Sequence, residues 1–159
     1  MTGRIAAPLV LAAVLLAAAP TRAQAEVELA NGWMRPAYAG QPRAAVYVDI
    51  RSAQPLKLVG AATPLARRVE LVLVDPPSPD PATHRVVPEL PVAGGRETRL
   101  ALGGSHVRLV DIVRDVPPGE RWPLELAFVD AAGNRVSVTA EVLVRGLMPP
   151  RPEEGAPPR

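Results

Sequence analysis

Hydrophobic and polar residues alternate one by one along most of this chain. Ala44 to Ile50 alternates, as do Val69 to Val74, His106 to Val113, Leu124 to Val129 and Val136 to Val142. A period of two places successive side chains on opposite faces of an extended backbone, which predicts half-buried strands rather than helices. Each run is short and closed by Pro, Gly, Asn or Asp, the residues that end strands. Asp130-Ala131-Ala132-Gly133-Asn134 reads as the loop of a hairpin. Seven or eight such strands, with turn signals every 8 to 15 residues or roughly so, predict an all-β fold. The expected form is an antiparallel Greek-key β-sandwich of cupredoxin or immunoglobulin-like build. No helical period of useful length and no internal repeat interrupts the pattern.

Prolines mark the connections. Asp75-Pro76-Pro77-Ser78-Pro79-Asp80-Pro81 cannot form a central strand, because each proline removes a ladder donor, and is expected as an exposed loop. Val116-Pro117-Pro118-Gly119-Glu120 is a second turn of this kind. From Gly146 to Arg159 the chain is too rich in proline and charge to pack, and a disordered tail is expected over 146–159. At the other end, Arg4 precedes an uncharged run from Ile5 to Ala19, followed by Pro20 and Ala23-Gln24-Ala25. This order predicts a cleavable signal peptide over 1–25. The apolar run is short of the 20 or so residues that a spanning helix needs. The expected product is one domain over 26–145, periplasmic or secreted, with no membrane span after cleavage.

Charge changes the picture only by exclusion. Of the 18 basic residues two, Arg4 and Arg22, fall in the signal segment, which leaves 16 against the 16 acidic ones. A balanced chain with interspersed signs gives no reason to expect a nucleic-acid partner. There is no cysteine, so disulfides, thiolate metal sites and a cysteine nucleophile are excluded together. Enzyme motifs are absent: no Gly-rich phosphate loop, no Gly-x-Ser-x-Gly, no His-Glu-x-x-His. Ser105 and His106 are neighbours on a predicted strand and point to opposite faces, so they form no nucleophile–base pair. The expectation is a protein that is not an enzyme. Two histidines remain, His84 and His106, the second at the exit of the Gly103-Gly104 turn. Imidazole suits copper, zinc and nickel, and a pair at one end of a sandwich is a candidate metal site.

Several stretches together resemble the periplasmic PCu(A)C copper chaperones. They are Asn31-Gly32-Trp33-Met34-Arg35-Pro36-Ala37, Ala44 to Arg51, Leu58 to Pro64, Arg68-Val69-Glu70-Leu71, Leu102-Gly103-Gly104-Ser105-His106 and Pro118-Gly119-Glu120. Order and spacing carry the resemblance, which spans roughly residues 27 to 145. It implies a β-sandwich that binds copper and passes it by ligand exchange to a partner such as a respiratory oxidase assembly protein. The family pattern is His-x10-Met-x21-His-x-Met, a soft donor set for Cu(I). In this chain Val72 stands for the first histidine, and His84 for the first methionine, with one residue extra in the proline-rich loop. His106 matches the second histidine, and Arg108 stands for the last methionine. A guanidinium is always charged and cannot ligate.

The resemblance therefore implies an altered centre with His84 and His106 as metal residues and copper, Cu(I) or Cu(II), as cargo. Loss of both thioethers moves the preference toward Cu(II). Asp75, Asp80 or Glu89 would be candidate oxygen donors. The alternative is a metal-free sandwich module that binds a periplasmic protein. The distance between the two imidazoles separates these readings. Rings within about 4 Å allow a shared metal with bonds near 2 Å, whereas 10 Å or more forbids it.

Overall fold

The alternating runs are strands in a computed structural model that describes residues 26–146. In chain order they are β1 (Val27–Met34), β2 (Arg43–Ser52), β3 (Leu56–Ala62), β4 (Ala66–Leu73), β5 (Arg85–Val87), β6 (Leu90–Val92), β7 (Glu97–Leu100), β8 (His106–Ile112), β9 (Arg121–Asp130) and β10 (Arg135–Val144). The signal-peptide reading of 1–25 and the tail reading, Gly146 apart, lie outside the described residues. The five runs picked out by alternation are β2, β4, β8, β9 and β10. The proline-rich loop after β4 is a loop, relieved by a single 3-10 turn at Pro81–Thr83. Asp130–Asn134 closes the β9–β10 hairpin, with Asp130 Oδ1 accepting from the backbone N–H groups of Ala132 and Asn134.

The strands join in the order β5-β4-β8-β2-β1-β10-β9-β3-β6, and β7 pairs with β2 in line with β8. The fold is all-β and sandwich-like, as expected, with two corrections. There are ten strands rather than seven or eight. The additional ones are of three or four residues, β5, β6 and β7, too short to show a period, and β6 carries Pro91 on the sheet edge. The pairing is also not wholly antiparallel, because β1 runs parallel to β10. These are the first and last strands of the domain, so no hairpin dictates their direction.

One core fills the space between the two halves of the sheet. Leu58, Leu126 and Phe128 from β3 and β9 meet Met34, Val48, Ile50, Val107 and Leu109 from β1, β2 and β8. On β8, Val107 and Leu109 belong to this core, so alternation turns His106 and Arg108 to the opposite, outer face. A bulge on β1 sets the same face. Ala30 lies opposite Asp49 but Trp33 lies opposite Tyr47, so one residue is in excess around Asn31, whose φ is 53°. The bulge aligns Trp33 with Tyr47 on the outside of the sheet, and their ring centroids are 4.6 Å apart.

Candidate metal site

Two loops bring the histidines together. The first is the turn after β7: Gly104 N–H donates to Ala101 O at 2.9 Å, and Gly103 has a φ of 76°. Only glycine adopts that conformation at little cost. The turn ends at His106, whose Nδ1 lies 2.9 Å from Gly104 O. A carbonyl only accepts, so Nδ1 carries the proton and the lone pair is left on Nε2. The second loop is the proline-rich segment. Ser78 N–H donates to Gly103 O at 2.7 Å, which pins this loop onto the turn. Asp80 then caps the 3-10 turn by accepting from Ala82 N–H. His84 follows at its end, with Nε2 3.3 Å from Ser78 O, and Nδ1 is left as the lone-pair nitrogen.

The result is a pair of imidazoles with centroids 5.3 Å apart, edge to face. They line a cleft of about 680 Å³ together with Ala45, Tyr47, Pro77, Ser78, Pro79, Leu102 and Gly103. Leu102 is 59% exposed and Val86, nearby on β5, is 57% exposed, so the surroundings offer apolar surface to solvent. Two imidazoles bound to one metal through bonds of about 2 Å have ring centres roughly 4.5–6 Å apart. The observed spacing fits that range, and each ring keeps an uncommitted nitrogen. At 5.3 Å the centroid spacing lies between the limits of about 4 Å and about 10 Å and is compatible with one ion bound through the two free nitrogens.

His106 is nearly buried, at 6% exposure. Burial pushes its pKa below the ordinary histidine value, the hydrogen bond to Gly104 O opposes this, and the charges of Arg108 and His84 add to the lowering. A neutral imidazole is the form that ligates. Tyr47 stacks on the other side, 6.1 Å from His106 between centroids, and its phenol is pushed up by burial, with Arg35 opposing. The row continues through Trp33 to Arg145, whose guanidinium lies 5.3 Å from the Trp33 ring centre. Tyr47, Trp33 and Arg145 were not singled out by reading the sequence for chemistry. The signal was the alternation itself, which puts Tyr47 on the same face of β2 as Ala45.

The other positions in the pattern also have definite places. Val72 pairs directly with His106 across β4 and β8 and is fully buried. Arg108 pairs with Glu70 across the same two strands, its Nη1 3.6 Å from Glu70 Oε2, while Arg68 reaches Glu70 at 3.1 Å. Met34 is in the core. Glu89 forms an ion pair with Lys57, and Asp80 is engaged as a cap. Among the described residues no group of three or more His, Cys, Asp or Glu side chains gathers to hold a metal. Ser105 Oγ accepts from Val74 N–H, so the hydroxyl serves the β4 end and not the histidine.

Solved structures place this architecture in a class. The chain is similar to the copper-bound PCuAC domain from PmoF2, with 25% identity over 76% of this chain and 92% of that one and a TM-score of 0.58. It is also similar to Cu(I)-DR1885 from Deinococcus radiodurans, with 28% identity over 74% of this chain and 80% of that one and a TM-score of 0.51. The apo PCuAC domain from PmoF1 shares the fold at 20% identity, covering 76% and 93%, with a TM-score of 0.59. The fold is thus that of the PCuAC domains. No curated protein sequence matches. The model of the family described as putative lipoprotein LpqE-like matches residues 27–142, and the chain belongs to that family.

Proposed function

We propose that this protein is an extracytoplasmic copper carrier in which His84 and His106 hold the ion. The observation that carries the reading is the convergence of the two rings, 5.3 Å apart, at an open cleft. The likeness to PCuAC domains solved with copper supports the choice of metal. With two nitrogen donors and no thioether beside them among the described residues, cupric ion fits better than cuprous. A metal held by two side chains at a cleft is accessible for ligand exchange, and the exposed apolar Leu102 on its rim suits a protein acceptor. A respiratory oxidase assembly protein is the partner that the family likeness implies.

Export through a cleavable signal over 1–25, into the periplasm, is part of the same proposal, supported by the charge and hydropathy order of that segment. The family name speaks of lipoproteins, but these 159 residues hold no cysteine to carry a thioether-linked lipid. No helix among the described residues is long and apolar enough to cross a membrane.

The test is a titration of the purified protein with Cu(II) and Cu(I) against competing chelators. Stoichiometric binding that His106→Ala and His84→Ala each abolish is the expected result. Binding no tighter than the chelators would instead favour the metal-free module, for which the buried Val72 and the paired Arg108 at ligand positions are the supporting observations.

A further inference from the structure

Positive and negative charges balance along the chain, but the fold does not spread them evenly. Strand register fixes which side chains share the outer face of β4, β8, β2, β1 and β10. One row across it runs from Val72 through His106 and Tyr47 to Trp33. Two residues along each strand, the next row pairs Glu70 with Arg108 and Arg108 with Ala45. Arg35 and Arg145 extend it: the Arg35 charge acts on the Tyr47 phenol, and the Arg145 guanidinium lies over Trp33. The row after that sets Val110 opposite both Arg68 and Arg43. Val110 is only 7% exposed although it is not part of the core cluster, which fits cover by the aliphatic stems of its two arginine neighbours. Five guanidiniums thus share this end of the face with one carboxylate, an excess of four positive charges. Glu70 is engaged by Arg68 and Arg108, whereas Arg35, Arg43 and Arg145 are exposed and form no ion pair among the described residues. Asp111 and Asp115 lie beyond Arg43, against Pro42 and Ala39, and even with both counted the balance stays positive. On the other side of the His106 row the same face carries Asp49, Glu28 and Glu97 with Arg51 and Arg99, largely paired among themselves. The excess therefore lies on one side of the histidines. Ala45 joins the two regions, since it lines the histidine cleft and pairs with Arg108.

We propose that this arginine face is the docking surface for an acidic face of the protein that receives the metal. The acceptor's carboxylates seat on Arg35, Arg43 and Arg145, and its own metal-binding groups then reach the histidines over Ala45 and Tyr47. The acceptor's role rests on the copper reading above, whereas the charge of the face does not. Exposed guanidiniums with no internal partner can each bind a carboxylate through two parallel hydrogen bonds. A one-signed patch also steers an oppositely charged partner during encounter and fixes its orientation. A lipid surface is the less suited occupant, because Val110, the large apolar side chain between the arginines, is covered and cannot enter an acyl boundary. Arg108 at the family's last ligand position then has a positive role, as part of the surface that selects the acceptor.

The test uses two acceptor peptides with one metal-binding head, Gly-Gly-His, extended by a run of glutamates or by a run of lysines. The purified protein is loaded with Cu(II) and mixed with each peptide, and transfer is followed by the visible absorbance of the copper peptide. The glutamate peptide should take copper about tenfold or more faster at low ionic strength, and the advantage should shrink as salt is added. In Arg43→Gln combined with Arg145→Gln most of the advantage should be lost, while Arg51→Gln, on the balanced side, should keep it. Thermal melts establish that each variant is folded, and Arg35→Gln decides if the double variant does not fold. Fluorescence anisotropy of a labelled glutamate peptide with the metal-free protein reads the face separately, and the double variant should bind it about tenfold or more weakly. Equal transfer to the two peptides, or an advantage that the arginine substitutions leave unchanged, overturns the proposal and leaves the copper reading standing. Failure to retain copper overturns the copper reading and the acceptor's role with it, and the metal-free binding then decides alone if the face is one for acidic proteins. Arginine-dependent binding to phosphatidylglycerol vesicles, with no binding of the glutamate peptide, would assign the face to a membrane and overturn the proposal.

Discussion

His106 owes its character to a nearly dry site and to a hydrogen bond at one nitrogen. Its folded-state pKa is lowered, chiefly by burial, while the unfolded chain titrates at the ordinary 6.5. Below that value the unfolded state takes up a proton that the folded state resists, so stability is full above about pH 6.5 and falls as pH drops through the folded value. Melts of the metal-free protein from about pH 7.5 to about pH 5 should show this decline, and His106→Gln should flatten it. The neighbouring positions make a second prediction. Val72 faces His106 across the ladder, so Val72→His together with Arg108→Met would put the two missing donors on the face that already carries His106. Cu(I) affinity in that double variant should rise by at least about tenfold over the parent, as measured by chelator competition. An unchanged affinity would mean that the loops holding His84 have diverged as well. His106 was legible in the sequence because a Gly-Gly turn announces its position. The pairing of Arg108 with Glu70 was not, because it depends on the register of two strands separated by 32 residues of intervening chain.

At the scale of elements, the β1 bulge decides which way the aromatic row faces. Gly32 sits in it against β10, and a Cβ there would lie 2.7 Å from Glu141 O. A backbone oxygen cannot give way as a side chain end can. Gly32→Ala should therefore cost about 1–3 kcal/mol, read as a lower denaturation midpoint, and should loosen the Trp33–Tyr47 stack. The longer strands were legible from their period, since β2, β9 and β10 give ten residues each over which alternation can repeat. β5, β6 and β7 offered too few residues, and one of them contains a proline. The parallel match of β1 with β10 has no local signature at all, because it joins residues more than a hundred positions apart.

For the whole molecule, the candidate site and the core lie on opposite faces of the same strands, so they should fail independently. Phe128 is the single phenylalanine of the chain and is fully buried in the core. Phe128→Ala should destabilise the fold by about 3–5 kcal/mol, seen in chemical denaturation. Copper affinity of the fraction that remains folded should be unchanged, because Val72, His106 and Tyr47 pack outside that core. The all-β class was readable from alternation, since the hydrophobic face of each long strand had only one place to go. The convergence of His84 on His106 was readable only as a question, because a loop of several prolines fixes it through one backbone hydrogen bond from Ser78 to Gly103.

The aromatic row also gives the molecule an optical gauge. Trp33 reaches His106 through one ring, Tyr47, by steps of 4.6 and 6.1 Å. The Trp33 indole is then within about 11 Å of the His106 ring, near enough for a cupric ion at the histidines to quench its emission. Trp122 on β9, hydrogen-bonded to Glu120 and covered by Arg114, packs against the core on the other face of the sheet and should dim less. Cupric ion added to the protein should therefore extinguish the Trp33 part of the emission, and Trp33→Phe should remove that response while the ion remains bound. Filling and emptying of the site would be visible as light, with no label attached.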